Sequence, residues 1–327
     1  MRKKWTWIVP LTLLILMLPL LIESSYFMHI TILAMIYIIL ATSLNLLSGY
    51  TGLLSLGHHA FYGIGAYTAA LSVMRLGLPF LLALLLSGIL PMILSYLVGK
   101  ITFRLRSSFF AISTIAFAEI TRLVSINWVE LTEGPMGLPN IPAASIGPLV
   151  LNSYNKQYYL VLILAVSSIF LSYRIVNSHI GRVFKGIKDA EYVAISTGVN
   201  IDRYLMIAIM AGAFMAGIAG GFYGQYMKFI SPDVFYFQMT VNMVVMVIAG
   251  GLGTIGGPVV GAIIFTLAPE VLRFSEGYSF ILYGIALILI ILFLPGGLWS
   301  LLKKVKNLFK NSVYPNNSEI EGSDNLK

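Results

Sequence analysis

The sequence predicts an all-α polytopic membrane protein of about ten transmembrane helices, some of them broken by glycine. Composition is the first indication: hydrophobic residues make up 58% of the 327 residues, charged residues only 10%, and the mean hydropathy is +0.88. Such values exclude a soluble domain of this length. The second indication is that apolar runs near 20 residues long, the length at which a helix crosses a bilayer, recur along the chain. Cysteine is absent, so disulfides and cysteine-based metal sites are excluded.

Ten apolar runs are candidates for spans: 5–22, 28–47, 57–76, 78–99, 107–129, 158–178, 204–226, 237–250, 255–273 and 279–295. The third, eighth and ninth are shortened or interrupted by glycine. The first run follows a basic start and resembles a signal peptide. No small-residue cleavage site follows it, so we expect it to be retained as a span. The polar residues 311–327 are predicted to form a disordered tail.

Basic residues predict the orientation of these spans. If all ten runs cross the membrane, the loops alternate between two sides, and 16 of the 21 lysines and arginines fall on one side. The other five are Arg75, Arg122, Lys156, Lys228 and Arg273. Because cytoplasmic loops carry the excess of lysine and arginine, both termini are expected in the cytoplasm. The outer side then holds one sizeable loop, 130–157, which is rich in glycine and proline and therefore in turns.

Residues 179–203 (HIGRVFKGIKDAEYVAISTGVNIDR) are a long polar interruption between two apolar runs. Their apolar residues recur at helical spacing, so we predict an amphipathic cytoplasmic helix that ends at Gly198. The stripe comprises Ile180, Val183, Phe184, Ile187, Ala190 and Ala194. One interpretation is a helix that docks on a partner protein, and the alternative is a helix that lies on lipid headgroups. Glu191 falls within the stripe, which favours a protein partner.

Two glycine-rich stretches, 45–70 and 250–262, interrupt the membrane part. Broken helices at membrane depth are tolerated only inside protein or beside a watery cavity, and polar groups there mark a pathway. The alternative is close packing of helices through small residues. The two stretches echo each other in glycine spacing, which indicates an internally repeated transporter, and the charge distribution places both turns on the same side. The pathway and gating candidates are Asn45, Gly52, Gly57, His58, His59, Gly63, Asn242, Gly251, Gly256 and Gly261.

Glu119 and Arg122 lie three residues apart inside the fifth run, so we expect an intramembrane ion pair. Neither a G-x-x-x-x-G-K-[ST] motif nor a catalytic constellation occurs in the sequence. Since few acidic residues lie within the spans, an ion-coupled mechanism is disfavoured, and the energy for transport is expected to come from a partner. The net charge of +8 is spread along the membrane edges, which does not indicate nucleic-acid binding.

Several segments together resemble the membrane subunit of a branched-chain amino-acid ABC importer, of the LivM type. The resemblance covers about residues 30–295. It rests on LNLLSGYTGLLSLGHHAFYGIGAYTAAL at 44–71, FFAISTIAFAEITRLV at 109–124, LTEGPMGLPNIP at 131–142, GRVFKGIKDAEYVAISTGVN at 181–200 and the glycine turn near 250–261. The resemblance implies an ABC importer permease architecture, with residues 1–310 as a transmembrane permease domain.

The resemblance also implies partners and a location. Permeases of this family work with a second, LivH-type permease, two cytoplasmic ATPases and an extracytoplasmic amino-acid-binding protein in the bilayer of the bacterial plasma (inner) membrane. It implies no cofactor and no enzyme activity of the permease itself. Segment 181–198 would correspond to the coupling segment that enters a groove of an ATPase. The coupling residues would be Gly181, Arg182, Phe184, Ile187, Glu191, Ala194 and Gly198.

The family's coupling segment typically carries paired alanines before a glycine. Here Val193 and Ala194 precede Gly198, so valine replaces one alanine and the fine fit is altered. The expected substrates are leucine, isoleucine and valine. Urea or short amides are the alternative within the family, and an ion-coupled secondary amino-acid transporter is the alternative outside it.

Overall fold

A computed structural model describes residues 16–22, 24–105, 108–147, 149–272, 284, 288, 292–294 and 296–301. Most of the predicted first and tenth spans, and the whole of the predicted tail at 311–327, lie outside the described residues. Within the described part, helices occupy each of the other eight predicted spans. The fold is therefore that of an all-α polytopic membrane protein.

The eight main helices follow the apolar runs, and shorter elements connect them. The main helices are α1 (Ser25–Leu44), which continues as a π-helical turn Asn45–Gly49, α2 (His58–Met74), α3 (Phe80–Thr102), α4 (Ser108–Asn127), α6 (Tyr154–Val176), α9 (Ile201–Met227), α10 (Phe237–Gly251) and α11 (Gly256–Leu272). The connecting elements are α5 (Val129–Thr132), α7 (His179–Asp189), α8 (Glu191–Ser196) and two 3₁₀ turns, Gly134–Met136 and Pro232–Phe235. An antiparallel ribbon pairs β1 (Ser145–Ile146) with β2 (Leu149–Val150).

Five of these helices are long and apolar enough to cross a membrane: Ser25–Gly49, Phe80–Thr102, Ser108–Asn127, Tyr154–Val176 and Ile201–Met227. The runs that glycine shortens form the shorter helices α2, α10 and α11, of 17, 15 and 17 residues. The predicted difference between full-length and shortened spans is therefore confirmed for the described helices.

Helix α9 lies at the centre of the bundle, packed against α2 and α3. Its small residues make this close approach feasible. A β-carbon at Gly220 would collide with the carbonyl oxygen of Tyr62 on α2, and one at Gly217 would collide with that of Ser87 on α3. In a bilayer, helices associate through such close packing rather than through exclusion of water. By contrast, α4 leaves most of its surface exposed.

The loops gather at two opposite ends of the bundle. At one end, the Arg75 guanidinium donates to the carbonyl of Glu130 at 2.5 Å, and the backbone of Leu138 pairs with that of Ile230. This end holds most of segment 130–157, as short helical turns, the β ribbon and irregular backbone. At the other end, the Lys188 ammonium donates to the carbonyl of Gly49 at 2.8 Å. The loops that the alternation of spans assigns to one side therefore lie at one end of the bundle, and those assigned to the other side lie at the opposite end.

Candidate functional site

The polar segment 179–203 begins with a well-capped helix but is not one continuous helix. Ser178 caps α7, because its hydroxyl accepts a hydrogen bond from the backbone N–H of Ile180 at 3.1 Å. The helix ends at Asp189, and Ala190 has φ −157° and ψ 77°, far from helical values. Helix α8 then starts at Glu191, whose acidic side chain suits the first turn of a helix. The prediction of a single helix, with Ala190 on its apolar stripe, is therefore wrong.

Four of the predicted coupling residues face the chain itself. Phe184, Ile187 and Ala194 are buried, and Gly181 lies so close to the end of α6 that a β-carbon there would collide with the carbonyl of Val176. These residues therefore anchor the segment on the bundle. The sequence pattern did identify the buried part of this stripe, which packs against the chain's own bundle.

The exposed side of the segment is the surface available to a partner. Tyr192 is 86% exposed, and Val193 and Ile195 beside it are also exposed. Arg182 is exposed on α7, whereas Glu191 is half-buried. Large apolar side chains in contact with water at a loop end indicate an interaction surface. Helical spacing alone places Tyr192 opposite the buried stripe, but sequence reasoning did not single out Tyr192, Val193 and Ile195 as an apolar surface.

Gly198 ends α8 as predicted. Its φ of +79° is in the left-handed region, where glycine has no steric penalty. The N–H of Gly198 donates to the carbonyl of Ile195 at 2.9 Å, and that of Val199 to the carbonyl of Ala194 at 3.1 Å. This pair of bonds is the Schellman arrangement that closes a helix C-terminus.

The two glycine-rich turns meet through one buried side chain. The Asn45 side-chain oxygen accepts a hydrogen bond from the N–H of Gly253 at 2.9 Å, and its amide donates to the carbonyl of Thr254 at 2.8 Å. Asn45 lies in the π-helical turn that ends α1, and Gly253 lies between α10 and α11. Both turns therefore lie at the same end of the bundle, as the charge distribution indicates.

The adjacent histidines are held by two different helices. His58 Nε2 lies 2.8 Å from Ser43 Oγ on α1, and His59 Nδ1 lies 2.6 Å from Thr240 Oγ1 on α10. The backbone N–H of His59 also donates to Thr240 Oγ1. Both rings are buried among the described residues. Their described contacts fasten the start of α2 to α1 and α10.

The glycines among the pathway candidates likewise serve close packing. A β-carbon at Gly57 would collide with the carbonyl of Thr114 on α4, and one at Gly63 with the ring of Phe235. Similar collisions would occur at Gly256 with Trp299 and at Gly261 with Met246, while Gly52 and Gly251 have φ of +80° and +131°. Close packing or a left-handed backbone conformation therefore requires glycine at each of these positions. Asn242 differs, because it stays partly exposed.

Exposed polar groups lie instead on α4 and at the start of α10. Arg122 Nη2 donates to Glu119 Oε1 at 2.6 Å, and Arg122 Nε contacts both carboxylate oxygens at 3.0 Å. The expected ion pair is therefore present, with side-chain exposures of 26% for Arg122 and 51% for Glu119. On α10, the Gln238 amide donates to the side-chain oxygen of Asn242 at 3.1 Å.

The segment between α9 and α10 extends this polar surface toward α4. The Asp233 carboxylate accepts a hydrogen bond from Tyr236 and raises the pKa of that phenol, whereas Arg122 acts in the opposite direction. Helix α4 packs against the 3₁₀ turn Pro232–Phe235, which leads directly into Tyr236, so the polar groups of α4 and of the start of α10 lie on neighbouring elements. We call Glu119, Arg122, Tyr236, Gln238 and Asn242 the polar face. Sequence reasoning identified three of these residues and missed Tyr236 and Gln238.

Comparisons with known proteins agree with this architecture. The family model described as "Branched-chain amino acid transport system / permease component" matches residues 26–294. The permease LivM of Escherichia coli K12 is 30% identical over 93% of this chain and 78% of its own length. LivM of Salmonella typhimurium is also 30% identical, over 82% of this chain and 69% of its own length.

A second group of relatives consists of LivH permeases. LivH of Escherichia coli K12 is 24% identical over 80% of this chain and 90% of its own length. No solved structure matches the chain. Because the family model covers most of the chain, the chain belongs to the family of branched-chain amino-acid transport permease components.

Proposed function

We propose that this chain is the membrane-spanning permease subunit of an ATP-binding-cassette importer for leucine, isoleucine and valine. The observation that carries the proposal is the polar segment 179–199, which is anchored on the bundle by buried residues and presents an exposed apolar tip. The relatives named as high-affinity branched-chain amino-acid permeases support the substrate class. The sequence contains no P-loop, so ATP hydrolysis is assigned to partner subunits.

The ATPase docks on the apolar tip. Tyr192, Val193 and Ile195 extend from α8 at one end of the bundle, and an aromatic side chain surrounded by smaller apolar ones is typical of a residue that inserts into a pocket. Arg182, exposed on the preceding helix, adds a positive charge to the rim. The buried residues Phe184 and Ile187 hold the segment that carries the tip firmly on the bundle, because a packed contact does not deform continuously.

The polar face is where the second permease meets this chain. Glu119 and Arg122 are positions 12 and 15 of the 20-residue helix α4, so the ion pair lies well inside the span. Charged groups within a membrane rarely face lipid, since they pair with protein or line a water-filled cavity. A related permease packed against α4 and α10 would cover this face, and the amino acid would cross between the two subunits. Similarity to both LivM and LivH chains supports such a pair.

The chain lies in the bacterial plasma membrane with both termini in the cytoplasm. This orientation follows from the excess of lysine and arginine at the end of the bundle that carries the polar segment. The opposite end, with residues 130–157, then faces outward. The extracytoplasmic binding protein docks there and delivers its amino acid.

Transport proceeds by alternating access. ATP binding closes the ATPase dimer, and the closure moves the apolar tip of α8 together with the bundle on which it is anchored. The two permeases rotate against each other and change the side toward which the pathway opens. ATP supplies the difference in stability between the two states. Substrate selection rests mainly with the binding protein, and the polar face needs only to accommodate a small zwitterion.

The test is a detergent purification of the tagged chain from its native membrane, followed by reconstitution. We expect two P-loop ATPases and a second multi-span protein to co-purify, and ATP-dependent uptake of labelled leucine when the binding protein is present. Uptake of labelled urea instead would reassign the substrate. Purification of the chain alone, active in liposomes without ATP, would overturn the proposal in favour of an ion-coupled transporter.

The docking surface has its own test. Val193→Asp should release the ATPases during purification, because a carboxylate on the tip enters an apolar pocket without a partner. Val150→Asp is the matched control, since Val150 is also apolar and exposed but lies at the opposite end of the bundle. Retention of the ATPases by the Val193→Asp variant would refute docking at the tip.

A further inference from the structure

Lys188, near the end of α7, connects the polar segment to the first glycine turn. Its ammonium donates to the carbonyl oxygen of Gly49 at 2.8 Å. Its aliphatic stem crosses Gly52, where an added β-carbon would lie 3.3 Å from Lys188 Cγ. Gly52 also has a φ of +80°, so both the backbone conformation and the close contact favour glycine there. The Lys188 side chain therefore lies directly on the end of α1.

The carbonyl that Lys188 contacts belongs to the end of a helix. Helix α1 closes with a π-helical turn, in which the N–H of Tyr50 donates to Asn45 O and that of Thr51 to Leu47 O. These bonds leave Gly49 O available, and the carbonyls at a helix C-terminus carry partial negative charge. An ammonium from another helix is the group that suits such a carbonyl. Lys188 thus caps α1 from outside it.

The same ammonium also lies beside the second glycine turn. A β-carbon built on Gly253 would be 3.1 Å from Lys188 Nζ and 2.8 Å from Gly49 O. Gly253 is the residue whose N–H donates to Asn45, so the two turns and Lys188 meet at one point. Three separate stretches of the chain therefore converge there: the polar segment, the end of α1 and the connection between α10 and α11.

This point is connected to the rest of the bundle by a short series of contacts. Ser43 on α1 holds His58, and Thr240 on α10 holds His59, so both helices that reach the convergence also hold the start of α2. Helix α10 carries part of the polar face as well, at Gln238 and Asn242. Movement of α7 would be passed through Lys188 to α1 and to the α10–α11 turn without an intervening flexible loop.

We infer that Lys188 is the positioning residue through which the coupling segment moves the glycine turns and the polar face of the permease. The inference rests on the proposed function, because it assigns to Lys188 the transmission of ATPase movement. It differs from an anchoring role, which Phe184 and Ile187 fulfil through burial. Lys188 is exposed on one side and makes a polar contact, so its loss should impair coupling and leave assembly intact.

The experiment uses the complete complex in liposomes and compares Lys188→Met with Lys185→Met. Lys185 is an exposed lysine one turn earlier on the same helix and serves as the matched control. For Lys188→Met we expect ATP-dependent leucine uptake to fall by roughly tenfold, the equivalent of one charge-assisted hydrogen bond. The rate of ATP hydrolysis should fall much less, so the ratio of molecules transported to ATP consumed decreases. Lys185→Met should keep the wild-type ratio.

A chemical rescue separates the ammonium from a general structural effect. Because the chain has no cysteine, a Lys188→Cys variant carries a single thiol in this subunit. Alkylation of the assembled complex with 2-bromoethylamine converts that cysteine into an aminoethyl analogue of lysine. We expect the transport-to-ATP ratio to recover, whereas the wild-type complex treated in parallel should not change. Lys188→Arg should also retain most of the ratio.

The outcomes distinguish the inference from the proposed function. If the wild-type complex shows no ATP-dependent uptake, the proposed function fails and the inference fails with it. If the wild type transports and Lys188→Met keeps its ratio, only the inference is overturned. Loss of the ATPases from the Lys188→Met complex, or a loss of ratio that aminoethylation does not restore, would also overturn it, since either outcome assigns a purely structural role to Lys188.

Discussion

Replacement of Asn45 by alanine is the most direct test of the contact between the two glycine turns. The side chain is 2% exposed and makes two hydrogen bonds to the backbone of Gly253 and Thr254. Alanine leaves both backbone groups without these partners. Hydrogen bonds in membrane proteins average roughly 0.6 kcal/mol each, which sets a lower limit of about 1 kcal/mol for the pair. Gly253 and Thr254 are only half-buried, so the penalty for each backbone group left without a partner stays near the lower end of about 1–3 kcal/mol, and we expect a loss of about 2 kcal/mol in total.

The assay is chemical unfolding of the purified protein in detergent, with Asn127→Ala as the control. Asn127 also donates one hydrogen bond, to the carbonyl of Leu123, but it is exposed and the bond stays within one helix. Its replacement should change the free energy of unfolding by no more than about 0.5 kcal/mol. A loss for Asn45→Ala equal to that of Asn127→Ala would show that the turns are held together by packing and not by this amide.

Three further predictions concern the ion pair and the glycines. The Glu119→Gln variant leaves Arg122 without its partner inside the span, at a cost of about 3 kcal/mol. The yield of folded protein should therefore be lower for Glu119→Gln than for Glu119→Gln combined with Arg122→Leu. Equal yields would argue against pairing of the two charges. Gly57→Ala should lower the yield because its β-carbon collides with backbone, and a fully folded, active variant would refute the close contact. Alanine at Gly186 and at Gly198 meets open space in both cases, but Gly186 is helical and Gly198 has a φ of +79°. The first change should therefore stabilise the protein by about 0.5–1 kcal/mol and the second should destabilise it by about 1–2 kcal/mol, as measured by thermal unfolding.

The polar segment shows how far a pattern of residues predicts a site. Its spacing correctly indicated an amphipathic helix with a buried face at Phe184 and Ile187 and a glycine end at Gly198. It did not show the break at Ala190, because alanine is the best helix former and only the packing of the segment on α6 and the bundle overrides that preference. Helical spacing still places Tyr192 opposite the buried Ala194, but it does not show that Val193 and Ile195 are exposed beside Tyr192.

For the two glycine-rich stretches, the sequence permits two interpretations. Glycine at membrane depth is compatible with a pathway and with close packing, and the sequence alone does not separate the two. The tertiary structure adds that backbone lies within collision distance of Gly57 and Gly261, so close packing requires glycine at these two positions. The role of Lys188 was hidden for a similar reason: a lysine on the polar side of a helix suggests contact with solvent, and its partner lies 139 residues away in the sequence.

By itself, the sequence determined the fold class, the order of the spans, the separation of the two ends and the family. These properties follow from local composition and from charge distribution, since a bilayer requires long apolar helices and favours one side for lysine and arginine. Only the tertiary structure decided which polar groups meet. Asn45 finds its partner at Gly253, and α4 packs against the turn that precedes Tyr236, because elements distant in sequence lie side by side. No local pattern of residues specifies these contacts, because each joins elements that are far apart in the sequence.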